Sequence, residues 1–101
     1  MNKVISIIIG SQSDLEQVNP CCRICEEFKV PYELQIRSAH RNPRALISYI
    51  KDAQDKGIGI FIAAAGGAAA LAGTIAAHTT LPVIGVPVET KSLKGLDSLL
   101  S

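Results

Sequence analysis

Three short polar or glycine-rich stretches hold most of the residues in this chain that could do chemistry: Gly10-Ser11-Gln12-Ser13-Asp14, Ser38-Ala39-His40-Arg41 and Gly66-Gly67-Ala68-Ala69. Ser11 and Ser13 offer hydroxyls beside the main-chain N–H groups of a helix start, an arrangement suited to holding a phosphate. Asp14 would repel that phosphate, so its carboxylate is expected to turn elsewhere, and ribose hydroxyls are its natural partners. Ser13 and Asp14 also suit a plain helix cap, and the turn alone leaves both readings open. His40 can exchange a proton near neutral pH, and the adjacent Arg41 can pair bidentately with a phosphate. A lone His in such a place is more often a hydrogen-bonded structural residue; it is the company of the other two stretches that favours catalysis. Gly66-Gly67 would let the main chain approach a flat ligand and present N–H groups to a carboxylate, and it suits a tight strand-to-helix turn as well.

Each stretch follows an apolar run: Val4–Ile9, Leu34–Arg37 and Ile58–Ala64, with a fourth at Val83–Val88. The β-branched, almost wholly apolar first run is that of a strand covered on both faces. Pro31 opens the second strand. Asp14 can cap the helix that follows the first strand, but Pro20 lacks an N–H and its ring crowds the preceding turn. The spacing therefore predicts a break, with Asn19-Pro20 as N-cap and first position of a second segment ending near Phe28. Asn42-Pro43 caps a helix whose apolar positions Leu46, Tyr49, Ile50 and Ala53 have helical spacing, stopped by Gly57. Gly66-Gly67 leads into an alanine-rich helix through about His78, where the imidazole favours the helix C-terminus. Leu81-Pro82 starts the fourth strand, and Glu89–Ser101 reads as a loop and a short helix. The order βαβαβαβ implies right-handed crossovers and a parallel sheet. Ligands bind beyond the carboxyl ends of such strands, so the three stretches are expected to face one crevice.

With 101 residues, 48% of them hydrophobic and 19% charged, the chain reads as one domain. A net charge of +1, no basic stripe and only two Phe and two Tyr argue against nucleic acid as a partner. The apolar run at the amino end is too short for a secretion signal and nothing is long enough to span a membrane, so the expectation is a soluble, cytoplasmic protein. Cys22-x-x-Cys25, beside Cys21, has redox or metal spacing but no fourth ligand near in sequence. Free cysteines also pack in helices as small hydrophobes, and that is the reading adopted, with no metal site.

Together, Gly10-Ser11-Gln12-Ser13-Asp14, Ser38-Ala39-His40-Arg41-Asn42-Pro43, Ala65-Gly66-Gly67-Ala68-Ala69, the segment Thr79-Thr80-Leu81-Pro82-Val83-Ile84-Gly85-Val86-Pro87-Val88 and Gly95-Leu96-Asp97-Ser98-Leu99 follow a specific order. In that order the chain resembles, over essentially its whole length, the N5-carboxyaminoimidazole ribonucleotide mutases of purine biosynthesis. Gly66-Gly67-Ala68-Ala69 looks like the mutase class; the related carboxylases that use free carbon dioxide carry an Arg-Ser-Asn type of sequence there. The resemblance implies a flavodoxin-like three-layer α/β/α sandwich with a parallel sheet, and a homo-octamer with sites shared between subunits. It implies movement of a carboxylate from the exocyclic nitrogen of a small-molecule ribonucleotide to ring carbon 4, with neither metal nor organic cofactor. It places Ser11 and Arg41, helped by Ser13, on the phosphate and Asp14 on the ribose. Ser38, His40 and the Gly66-Gly67 main chain would surround the migrating carboxylate, with His40 as proton carrier.

The chain departs from the family pattern in two ways. The family reads Ala-Ala-His-Leu-Pro-Gly after the double glycine, whereas Ala70 and Ala72 stand here in place of the His and the Pro. The family also continues past Asp97-Ser98-Leu99 through a Met-Pro-x-Gly loop, another strand and a terminal helix. Residues 1–101 are accordingly expected to be a single mutase-like domain incomplete at its carboxyl end, with the fourth strand an exposed edge. Two alternatives to an active mutase follow: a nucleotide- or sugar-phosphate-binding module with weak or no catalysis, and a fragment that needs a complementing chain.

Overall fold

The β-branched run at the amino end becomes the middle of a sheet. In the computed structural model, which describes residues 3–101, β1 (Val4–Ile9) lies between β2 (Tyr32–Ile36) and β3 (Ile58–Ala65), and β4 (Val83–Pro87) flanks β3. All three pairings are parallel. The spatial order 2-1-3-4 is that of a flavodoxin-like sheet through its fourth strand.

Alternation along the strands sends successive side chains to opposite faces, and helices cover both. On one face Ile8, Phe61 and Ala63 pack with Leu46, Tyr49, Ile50 and Ala53 of α2 (Pro43–Ala53) and with Leu71 and Ile75 of α3 (Leu71–Ala77). On the other, Ile7, Ile9 and Ala64 pack with Val18, Cys22 and Cys25 of α1 (Leu15–Glu27). The register between β1 and β3 slips at Gly59: Val4 pairs with Ile58, and Ile5 with Ile60. This extra residue turns both Ile58 and Phe61 into the α2 side of the core. A side chain at Gly59 would meet Cβ of Lys3 at 2.8 Å, so the bulge needs glycine.

The second helix forms as its sequence predicts. Asn42 accepts a hydrogen bond from the Ala45 amide at 3.1 Å, Pro43 occupies the first turn, and a 3-10 turn at Gln54–Lys56 ends in Gly57 at φ 84°. His78 closes α3, its Nδ1 donating to the Thr74 carbonyl at 2.8 Å. The carboxyl-terminal segment is a loop followed by a short α4 (Leu96–Leu100), and β4 is a sheet edge with Ile84 and Val86 exposed.

The first and third helices depart from expectation. α1 is continuous through Pro20. Pro20 and Glu16 are both exposed, so the carbonyl that loses its partner faces solvent, while Val18, Cys22 and Cys25 anchor the helix on both sides of the proline. α3 starts at Leu71 and not directly after the double glycine. Gly67 is left-handed at φ 66°, and the amides of Gly67 and Ala69 are taken by the hydroxyls of Ser98 and Ser101, both at 2.9 Å. That segment is thereby held as a loop.

Cys22 and Cys25 are buried beneath α1 as small hydrophobes, and Cys21 is partly covered. Burial pushes the thiols of Cys21 and Cys22 up, away from the reactive thiolate. Among the described residues, no helix is long and apolar enough to cross a membrane.

A pair of hydroxyls is sealed in the core between β1 and α2. The Ser6 hydroxyl, with no solvent exposure, meets the Tyr49 hydroxyl at 2.6 Å, and Tyr49 in turn donates to Glu33. Burial and the Glu33 carboxylate hold the Tyr49 phenol well above its ordinary range, so it stays protonated and can donate. Losing the Tyr49 hydroxyl leaves that of Ser6 alone away from water, and losing the Ser6 hydroxyl leaves Tyr49 with Glu33 as its one partner. Tyr49→Phe and Ser6→Ala are each expected to cost about 1–3 kcal/mol in urea unfolding, and the double variant less than their sum. Strict additivity would show that the two hydroxyls do not depend on each other.

Candidate functional site

The carboxyl ends of β1, β2, β3 and β4 open into one cavity of about 560 Å³. Its walls are the segments that leave those strands.

After β1, Ser11 turns the chain into a 3-10 turn at Gln12–Asp14: its Oγ accepts from the Ser13 amide at 3.3 Å and lies 3.1 Å from the Ser13 hydroxyl. Both hydroxyls and the Asp14 carboxyl line the cavity. The Asp14 carboxyl sits near the strand end, where a Cβ placed on Gly10 would stand in ordinary contact with its Oδ2 at 3.9 Å. Burial raises the Asp14 pKa, with a main-chain contact to Ser11 acting the other way.

After β2, Ser38 folds the chain back on itself. Its Oγ accepts from the Arg41 amide at 3.0 Å and its carbonyl from the Asn42 amide at 3.2 Å. This places His40 and Arg41, both exposed, on the cavity wall just before the Asn42 cap. His40 Nε2 donates to the carbonyl of Ala68 at 2.8 Å across the cavity mouth. A carbonyl can only accept, so in the neutral ring Nδ1 is the basic nitrogen.

After β3, Gly66 lines the cavity, but Gly67 does not. The Gly67 N–H, expected to face a ligand carboxylate, is engaged by Ser98 Oγ, which itself donates to the Val88 carbonyl at 2.7 Å. Gly66 is glycine for a packing reason as well: a Cβ there would press on Thr90 Cγ2 at 3.3 Å. Ala70 also lines the cavity, so a larger side chain at this position would project into it.

Thus Ser11, Ser13, Asp14, Ser38, His40, Arg41 and Gly66 come together, and Gly67 stands behind the wall. Sequence reasoning missed Gln17, Glu89, Thr90 and Lys91, which complete the polar part of the lining. The rule that turns after parallel strands face one crevice already points to Glu89-Thr90-Lys91, since they follow the fourth strand. Gln17 lies one helical turn beyond Ser13, on the side that faces the cavity. Among the described residues, no group of three or more His, Cys, Asp or Glu side chains is placed to hold a metal ion.

The fold and the ordered motifs agree with comparisons to known proteins. The crystal structure of Treponema denticola PurE superposes with a TM-score of 0.85 at 25% identity, covering 99% of this chain and 65% of that one. The chain is 56% identical to an N5-carboxyaminoimidazole ribonucleotide mutase of Pyrococcus horikoshii, over 97% of this chain and 55% of that protein. It is 52% identical to the Bacillus subtilis protein of the same name, over its full length and 62% of the relative. It therefore spans little more than half the length of these relatives. The AIR carboxylase family model matches residues 4–101, and with the three strand-end turns gathered around one cavity this chain belongs to the AIR carboxylase family.

Proposed function

We propose that the cavity performs the mutase reaction, moving a carboxylate from the exocyclic nitrogen of an aminoimidazole ribonucleotide to ring carbon 4. The observation that carries this reading is the convergence of a hydroxyl-lined turn, a cation and an oriented imidazole: Ser11, Ser13, Arg41 and His40 share one wall system. The similarity to proteins named as mutases supports it.

Ser11 and Ser13 donate hydroxyl hydrogens to the phosphate, and Arg41 supplies the opposing charge. Asp14 takes the ribose hydroxyls. Ser38, His40 and Gly66 surround the carboxylate. The reaction needs one group that is acid and base in turn. As the carbamate C–N bond breaks, carbon dioxide leaves with its bonding electrons returned to nitrogen, and His40 delivers a proton there. Carbon 4 then attacks the retained carbon dioxide, and the proton displaced from carbon 4 returns to His40. With Nε2 tied to the Ala68 carbonyl, Nδ1 is the atom through which that proton passes. The step is redox-neutral, and this set of side chains supplies every proton it moves. The working form is a cytoplasmic assembly of copies, the octamer of the family resemblance. Apolar side chains exposed at Ile24 on α1, at Phe28 just past its end and at Ile84 and Val86 on β4 support it.

His40→Asn is expected to lower formation of the carbon-4 carboxylated product by about 100-fold or more while leaving ribonucleotide affinity within about threefold. Substantial turnover in that variant would remove His40 from the chemistry. Arg41→Ala should weaken ribonucleotide binding by about 10- to 100-fold in a calorimetric titration, the loss of a charge-assisted phosphate contact. Unchanged affinity would place the phosphate elsewhere. The raised Asp14 pKa means that the native state holds its proton more tightly than the unfolded chain does. Stability is then lost as pH rises through that range, and the ionised carboxyl burdens the fold at neutral pH. Asp14→Asn should therefore melt above the native chain at pH 7, with the gap closing below the ordinary carboxylate range, and bind ribonucleotide more weakly. A variant that melts no higher at pH 7 would contradict this account of the carboxyl.

A further inference from the structure

Gln17 is exposed on α1, yet its carboxamide makes two hydrogen bonds to a single residue distant in sequence. Nε2 donates to the Glu89 carbonyl at 3.3 Å, and Oε1 accepts from the Glu89 amide at 3.1 Å. The side chain thus occupies both main-chain groups of Glu89 just past β4, much as a neighbouring strand would. The two residues belong to different wall segments that meet here: Gln17 follows the Ser11–Asp14 turn by one helical turn, and Glu89 begins the Glu89-Thr90-Lys91 segment.

What Gln17 holds is connected to the rest of the cavity. On one side of Glu89, Val88 is buried and bonded at its amide to the Ala65 carbonyl and at its carbonyl to Ser98 Oγ. On the other, Thr90 Oγ1 donates to Asp97 at 2.6 Å, and its methyl lies against Gly66. Glu89 itself is exposed, and the Gln17 carboxamide is the side chain that engages its main chain.

From this geometry we infer that Gln17 is a positioning residue: by clasping the Glu89 main chain it fixes the distance between the Ser11–Asp14 turn and the Glu89–Lys91 wall, and so sets the width of the substrate cavity. The role rests on the mutase reading of that cavity. Gln17 touches none of the reacting atoms; it determines how well Lys91 and the Gly66 wall meet a ligand seated on Ser11 and Ser13. Its loss should appear in binding more than in the chemical step.

The test compares the native chain with Gln17→Leu, which removes both bonds at similar size, and Gln17→Glu, which keeps the acceptor and replaces the donor with a carboxylate facing the Glu89 carbonyl. Amide hydrogen exchange of the ligand-free chain is read together with KM and kcat for N5-carboxyaminoimidazole ribonucleotide. In Gln17→Leu the Glu89 amide should exchange about tenfold faster, with Ile7 and Ile8 unchanged, and KM should rise about tenfold with kcat within about threefold. Gln17→Glu should keep the Glu89 amide protected and still raise KM, because the wall is then repelled at its carbonyl. A residue that merely stabilises α1 would lower the melting temperature and leave KM where it is. Unchanged exchange at Glu89, or faster exchange with unchanged KM, overturns the inference. A native chain that neither binds nor turns over the ribonucleotide overturns the mutase reading instead. The clasp is then decided by exchange alone: faster exchange confined to Val88–Lys91 and Gly66–Ala69 supports it, and its absence overturns it.

Discussion

Ile7, Ile8 and Ile9 have no solvent exposure, and since neighbouring side chains of a strand point to opposite faces, the middle of this sheet must be covered from both sides at once. Each buried isoleucine contributes about 1.5–3 kcal/mol relative to exposure. Only crossover connections with helices on both faces meet that demand for parallel strands. They also leave every strand of the sheet running the same way. The carboxyl ends therefore share one edge of the sheet, and the polar segments that follow them are brought together as a by-product of covering β1. The site is where it is because the core is built this way.

Covering the core does not by itself give the cavity a shape. The segments at its mouth are short and largely exposed, with little apolar surface to bury. They are held by side chains that bond to main chain: Ser38 to Arg41, His40 to Ala68, Ser98 to Gly67 and Val88, Ser101 to Ala69, and Gln17 to Glu89. Each such bond is worth about 1 kcal/mol, but the links are shared, so the walls brace one another. His40 shows the economy of this arrangement. The same contact that restrains the Gly66–Ala70 loop also decides which ring nitrogen is basic. The carboxyl-terminal segment belongs to the site for the same reason, since Ser98 and Ser101 of that segment hold the loop that follows β3.

Much of this is legible in the sequence, and the places where the structure differs have a common cause. Local chemistry is readable where it acts over a few residues: the Asn42-Pro43 start, the Gly57 stop, the β-branched run of β1. Pro20 predicts a break because its local effect is unfavourable. The helix survives because burial of Val18, Cys22 and Cys25 outweighs one missing hydrogen bond on a solvent-facing side. A glycine amide beside a site invites a ligand contact, which is the expectation at Gly67. Ser98, distant in sequence, reaches that amide first. The family resemblance supplied roles for individual residues, whereas the geometry showed that Gly66 alone of the pair lines the cavity.

The alternation of strands and helices, the parallel sheet and the set of polar turns at its edge are all written in the order of residues along the chain. Those follow from residue type and short-range spacing, which act through backbone sterics, capping and hydrophobic periodicity. Which N–H groups are already engaged, which nitrogen of His40 is basic, and that Gln17, Thr90 and Ser98 hold the walls emerge with the folded arrangement. Those outcomes depend on hydrogen bonds between segments far apart in the chain, and a hydrogen bond is set by positions to within a fraction of an ångström. No local pattern carries that information.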